Sequence, residues 1–171
     1  MILDDFRLDG KVAVVTGASR GLGQAIAVAL AEAGADVVGA ARTDQSETAA
    51  VVEHTGRNFL PVKVDLADRA DHERLIEETL AEFGHLDVLV NNAGITHRSK
   101  AIEYPMDRWD AVLEVNLTAV FHLSQLAAKE MLKAERGGKI ILLASMASFQ
   151  GGLYIPAYVA SKGGVAALTR A

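Results

Sequence analysis

Tyr158 and Lys162 stand four residues apart in a stretch of helical pattern, and Ser145 precedes Tyr158 by thirteen positions. Helical spacing stacks the phenol and the ammonium on one face. A phenol of ordinary pKa, about 10, is a poor proton donor at neutral pH, and a neighbouring cation favours the phenolate and lowers that value. The pair therefore reads as a general acid or base for an alcohol or a ketone, with Ser145 able to hydrogen-bond the reacting oxygen. A Tyr-x-x-x-Lys pair alone occurs by chance on many helix surfaces, so its weight depends on what accompanies it.

It is accompanied by Thr16-Gly17-Ala18-Ser19-Arg20-Gly21-Leu22-Gly23, between a strand pattern and a helix pattern. The spacing is G-x-x-x-G-x-G rather than the commoner G-x-G-x-x-G. Glycines there allow a tight turn and close approach of backbone to a pyrophosphate, and the helix start attracts the anion. The expected contacts are Gly17, Ser19, Arg20, Gly21, Leu22 and Gly23. At the end of the next strand, where an acid would hold a ribose 2′-hydroxyl, stands Ala41, followed by Arg42. Arg20 and Arg42 could flank a 2′-phosphate, which favours NADP(H); Asp44 is the alternative partner for a hydroxyl and leaves NAD(H) open. Asp65-Leu66 and Asn92-Ala93-Gly94 follow the third and fourth strands, where open α/β sheets bind ligands, although Asp, Asn and Gly are also ordinary turn formers.

The elements that must position these residues alternate in type. Short aliphatic runs at Lys11–Thr16, Asp36–Ala41, Phe59–Val64, Leu86–Val90 and Lys139–Ala144 read as strands. Helical stretches run over Leu22–Ala33, Glu47–His54, Asp68–Phe83 and Met106–Glu135, and a last one opens near Tyr154 and is still running at Ala171. This alternation predicts βαβ units and a doubly wound parallel α/β sheet in the order 3-2-1-4-5, forming one dinucleotide-binding domain over residues 1–171. A final helix without a stop signal, and a fifth strand with a bare edge, read as a chain cut within the fold.

Composition excludes other classes. The 171 residues are 50% apolar and carry 17 basic against 22 acidic side chains, a net charge of −5 that argues against nucleic acid or an anionic membrane as partner. Cysteine is absent, which removes thiolate metal sites and thiol nucleophiles and fits a reducing, cytoplasmic setting. The acidic start lacks the features of a signal peptide, and the unbroken apolar runs are far shorter than the roughly 20 residues of a membrane span. His54, His72, His85, His97 and His122 form no metal-binding pattern and read as surface or helix residues, so no metal is expected. Glu73, Arg74, Glu77 and Glu78 read as a solvated helix face, and Trp109, Leu113 and Phe121 as core.

Taken together the motifs resemble the short-chain dehydrogenase/reductase family over essentially the whole chain. TGxxxGxG falls on Thr16–Gly23, NNAG on Asn91–Gly94, and the catalytic Asn-Ser-Tyr-Lys set on Asn116, Ser145, Tyr158 and Lys162. The resemblance implies a Rossmann-like fold and hydride transfer between a nicotinamide cofactor and a secondary alcohol or ketone. It implies that Tyr158 exchanges the proton, that Ser145 orients the substrate, and that Lys162 tunes Tyr158 and holds the nicotinamide ribose. Asn116, otherwise readable as a polar residue on a helix face, would organise a water in a relay from Lys162. A homo-oligomer, dimer or tetramer, is also implied, whereas the family's final strands and substrate loop lie beyond Ala171. The opening Met1-Ile2-Leu3, Gly94-Ile95-Thr96-His97-Arg98 and the stretch Gly137–Gly152 resemble the sugar-acid dehydrogenases of the family. That likeness suggests a keto-deoxy sugar acid as substrate, with Arg98 for its carboxylate, and implies NAD(H) where the arginines favour NADP(H). The alternative is an inactive fragment that binds a dinucleotide or a partner chain.

Overall fold

Successive residues of a strand point to opposite faces of its sheet, and in the first strand both sets are apolar. Val12 and Val14 enter one buried cluster, Ala13 and Val15 another. Such two-sided burial suits a parallel sheet with helices on both faces. The computed structural model describes residues 2–171, the side chain of Leu3 excepted; Met1, which opens the sugar-acid likeness, lies outside the described residues.

Strands β1 (Val12–Thr16), β2 (Asp36–Ala41), β3 (Phe59–Lys63), β4 (Val88–Asn91) and β5 (Lys139–Leu142) form one sheet in the order β3-β2-β1-β4-β5. Every neighbouring pair is parallel. Helices α1 (Gly21–Glu32) and α2 (Ser46–His54) supply Ala27, Ala31 and Val52 to one face. Helices α3 (Arg69–Phe83) and α5 (Ala119–Lys133) supply Leu75, Ile76, Leu123, Ala127 and Met131 to the other. Asp68 caps α3 by accepting the Ala70 amide at 2.9 Å, and Gly84 closes it with φ 76°. Helix α4 (Met106–Leu113) packs on α6 (Pro156–Leu168).

Several expectations change. The helix expected over Met106–Glu135 ends at Lys133 and is interrupted at Glu114–Thr118 by a π-helical turn, which places Asn116 in the interior. The last helix opens at Pro156, near Tyr154, whose φ of 65° is left-handed, and it closes at Leu168 rather than running on to Ala171. Phe121 is not core but 50% exposed, because it lies on the side of α5 away from Leu123 and Ala127; Trp109 and Leu113 are half-buried. The stretch Met106–Lys133 is long and apolar enough, by length and composition alone, to cross a membrane. Here Leu123, Ala127 and Met131 pack it onto the sheet core.

One ionic cluster ties the amino ends of β1 and β4. The Asp87 carboxylate, 4% exposed, accepts the Val12 amide at 3.0 Å and Lys11 Nζ at 3.1 Å, with His85 Nε2 at 3.2 Å and Arg136 Nε at 3.6 Å. Burial alone would push the Asp87 carboxyl up, but the Val12 and Lys11 hydrogen bonds outweigh it and hold it below the usual range. A depressed folded-state value stabilises the protein above the unfolded value of about 3.9, and that stabilisation disappears as pH falls through the folded value. Asp87→Asn is therefore expected to cost about 1 to 3 kcal/mol at pH 7, with the gap to wild type closing in acid. Denaturant unfolding at pH 7 and pH 3 checks this, and an equal gap at both would contradict it.

Candidate functional site

Strand order reverses between β1 and β4, so their carboxyl ends diverge and leave a crevice. Thr16 fastens the two ends. Its Oγ1 accepts the Asn92 and Ala93 amides, each at 3.0 Å, and donates to the Val90 carbonyl at 3.3 Å, while its own carbonyl accepts Asn92 Nδ2 at 2.8 Å.

Above this junction the glycine loop turns with φ 72° at Gly17 and φ 58° at Gly21. A Cβ on Gly23 would fall 2.1 Å from the Gly17 carbonyl oxygen and 2.6 Å from Asn92 Nδ2, so only glycine fits. No side chain caps α1 at Arg20, which leaves the amides of its first turn free for an anion. Two residues outside the expected set hold the loop in place: Thr48 Oγ1 donates to the Ala18 carbonyl at 2.8 Å and receives Gln24 Nε2 at 3.2 Å.

The loop opens on a cavity of about 300 Å³ lined by Gly17, Ser19, Arg20, Leu22 and Gly23, by Arg42, Asp65 and Leu66, and by Asn92, Ala93 and Gly94. Thr43, Ile95 and Val115 also line it and were not anticipated; their signal was position alone, at strand ends or beside Asn116. Arg20 and Arg42 are exposed and form no ion pair among the described residues. Between them the Thr43 hydroxyl donates to Ser19 Oγ at 3.0 Å. Asp44 is turned to α2, where the Ser46 hydroxyl and nearby amides hold its carboxyl below the usual range. Asp65 lines the cavity while its Oδ1 accepts the Ala67 amide at 3.0 Å, combining site and turn roles.

Beyond Gly94 lies the second group. Lys162, 4% exposed, donates from Nζ to the Leu143 carbonyl at 2.5 Å, and burial pushes its pKa down. Its Nζ stands 5.9 Å from the Tyr158 ring centroid. The Tyr158 hydroxyl has no hydrogen-bond partner among the described residues, so it is free for a ligand. Ser145 follows β5 and opens a 3₁₀ turn, accepting the Ala147 amide at 3.1 Å. Ser148 anchors this turn: it receives the Ser145 amide at 3.2 Å and donates to the Lys162 carbonyl at 2.7 Å. The Ser-x-x-Ser capping spacing was its signal in the sequence.

The Asn116 side chain bridges two segments: Oδ1 accepts the Ile95 amide at 2.8 Å, and Nδ2 donates to the Ile95 carbonyl at 2.9 Å and to Ser161 Oγ at 3.2 Å. Arg98 is exposed and does not line the cavity, although its loop is fixed where the Ser99 amide donates to the Tyr154 carbonyl at 2.9 Å. No cluster of three or more metal-binding side chains occurs among the described residues.

With this geometry in view, comparison with known proteins is informative. The family model for short chain dehydrogenases matches residues 11–171. The 2-dehydro-3-deoxy-D-gluconate 5-dehydrogenase of Dickeya dadantii is 49% identical over 170 residues, which are 99% of this chain and 67% of that protein. A structure from Agrobacterium tumefaciens, described as a 2-deoxy-D-gluconate 3-dehydrogenase with bound NADP, is 45% identical with a TM-score of 0.83, over 96% of this chain and 65% of that one. Carveol dehydrogenase from Mycobacterium avium, in complex with NAD, is 30% identical with a TM-score of 0.91, again over 96% and 65%. The chain thus spans about two thirds of the length of these relatives, and on sequence, fold and motif order it belongs to the short chain dehydrogenase family.

Proposed function

We propose that residues 1–171 act as one dinucleotide-binding unit that oxidises a secondary alcohol, or reduces the corresponding ketone, with a nicotinamide cofactor. One observation carries the reading. Gly94 lines the nucleotide cavity, and a Cβ built on it would lie 3.3 Å from Asn116 Oδ1 and 3.9 Å from Lys162 Nζ. Gly94 thus stands between the cavity of the anion-binding loop and the side chains of the proton-transfer set.

The residues fit a dinucleotide: the close approach at Gly23 leaves backbone room, the first turn of α1 offers unspent amides, and the arginines offer charge. Bound there, a nicotinamide supplies the hydride acceptor or donor. The chain's own groups manage the proton. Tyr158 exchanges the hydroxyl proton of the substrate, and Ser145, fixed by Ser148, hydrogen-bonds the same oxygen. Lys162, desolvated and held at the Leu143 carbonyl, places a positive charge near the phenol and favours its ionised form. Asn116 holds the Ile95 backbone and Ser161, so it positions the floor on which the substrate and the nicotinamide end meet.

Arg20 and Arg42, unpaired, and Asp44, engaged elsewhere, support NADP(H) as the preferred cofactor. The names of the sugar-acid relatives and the exposed Arg98 support a keto-deoxy sugar acid as substrate, its carboxylate taken by the guanidinium.

Tyr158→Phe is expected to lower turnover of a 5-keto sugar acid by about a hundredfold or more while leaving dinucleotide affinity unchanged. Initial rates of NADPH and NADH oxidation check this: wild-type rates in the variant would contradict the mechanism, and saturable binding without turnover in wild type would select a non-catalytic dinucleotide binder. Arg42→Ala is expected to raise KM for NADPH by about tenfold or more, the worth of a lost charge-assisted hydrogen bond, with KM for NADH unaltered. Equal effects on both cofactors would remove the 2′-phosphate assignment.

A further inference from the structure

His72, on α3, has no part in the mechanism above, yet it is fully buried. The sequence reads it as a surface or helix residue; it lies on α3 with its side chain in the interior, and its partner stands 50 positions away on α5. His72 Nδ1 is 3.0 Å from His122 Nδ1, and His72 Nε2 is 3.1 Å from the carbonyl oxygen of Leu66. A carbonyl only accepts, so Nε2 carries the hydrogen. In the neutral ring Nδ1 is then the acceptor, and His122 must donate from its own Nδ1. One carbonyl therefore dictates the tautomer of both rings.

Leu66 is a wall of the nucleotide cavity. We propose that His72 is a positioning residue for that cavity, holding the Leu66 backbone in the orientation a bound dinucleotide requires. The inference rests on the dinucleotide reading above. Two neighbours of Leu66 are anchored to the same helix: the Asp65 amide donates to Asp71 Oδ2 at 2.7 Å, and Arg74 donates to the Lys63 carbonyl at 2.6 Å. Those anchors are half-buried ion-pairing groups, whereas His72 is fully buried and reaches across to α5. The charged groups around the pair are Asp68 and Asp71 beside His72, and Glu114, 3.7 Å from Arg69, ahead of α5. Burial is the largest influence on His72 and, with His122 nearby, pushes its pKa below the usual histidine value despite Glu114, Asp68 and the Leu66 contact. The ring thus stays neutral and the tautomer fixed at physiological pH.

The test combines binding with spectroscopy on the chain as it exists. In wild type, nitrogen-15 NMR is expected to show His72 as the Nε2–H tautomer at pH 8. His72→Phe, which keeps a ring but loses both hydrogen bonds, is expected to raise the Kd for NADPH by about fivefold to tenfold, with the kcat of the folded variant unaltered. His72→Gln, which can restore a donor towards Leu66, should recover most of that loss. A wild-type Nδ1–H tautomer, or unchanged Kd in both variants, would overturn the inference alone. Failure of wild type to bind either dinucleotide would overturn the functional reading and this one with it. If His72→Phe does not fold, the wild-type tautomer and the Kd of His72→Gln, expected within twofold to threefold of wild type on the same hydrogen-bond scale, decide.

Discussion

The site depends on one buried hydroxyl. Thr16 closes β1, and its side chain and carbonyl together engage Asn92, Ala93 and Val90 at the end of β4. Parallel strands align their carboxyl ends but do not by themselves fix how two diverging loops leave the sheet. The threonine does so by satisfying the first amides of one loop from the last residue of the other strand. Two amide donors and one carbonyl acceptor meet at a single buried oxygen, so no partner can leave without exposing an unpaired polar group.

The glycines extend this constraint. At Gly17 a Cβ would come within 2.9 Å of Asn92 Nδ2, and at Gly23 within 2.6 Å of the same atom. Thr16, the two glycines and Asn92 are therefore one packing unit, with little freedom to vary separately. From it the chain runs along one path to the free amides of α1 and along the other through Gly94 and Ile95 to Asn116, Ser161 and Lys162. The binding and proton-transfer halves of the site take their relative position from this junction.

Much of this was legible in the residues because it is periodic or local. Val12 to Val15 read as a strand buried on both faces, and the sheet order follows from the alternation of strands and helices. Tyr158 and Lys162 share a helix, so their proximity is a matter of spacing. What was hidden is non-local. The burial of His72 depends on His122, and the commitment of the Asn116 amide depends on Ile95 and on the π-helical turn, which shifts the register of side chains along the helix. Phe121 misled for a related reason: apolar character says nothing about the side of α5 on which a residue falls.

Electrostatics divides the site in two. The end proposed for the nucleotide is cationic and exposed, with Arg20 and Arg42 in solvent, so their attraction for an anion is screened by salt. The end proposed for proton transfer is desolvated, with Lys162 buried against a carbonyl, so its charge acts over a short range with little screening. The central claim is that these ends form one dinucleotide site at the Thr16 junction, and amide hydrogen exchange with and without saturating NADPH tests it most directly. Slowed exchange confined to residues 17–23, 42–43, 65–66 and 92–95 is the predicted result. No slowing there, or slowing centred on the separate hollow around Arg57, Phe59 and Phe83, would contradict it.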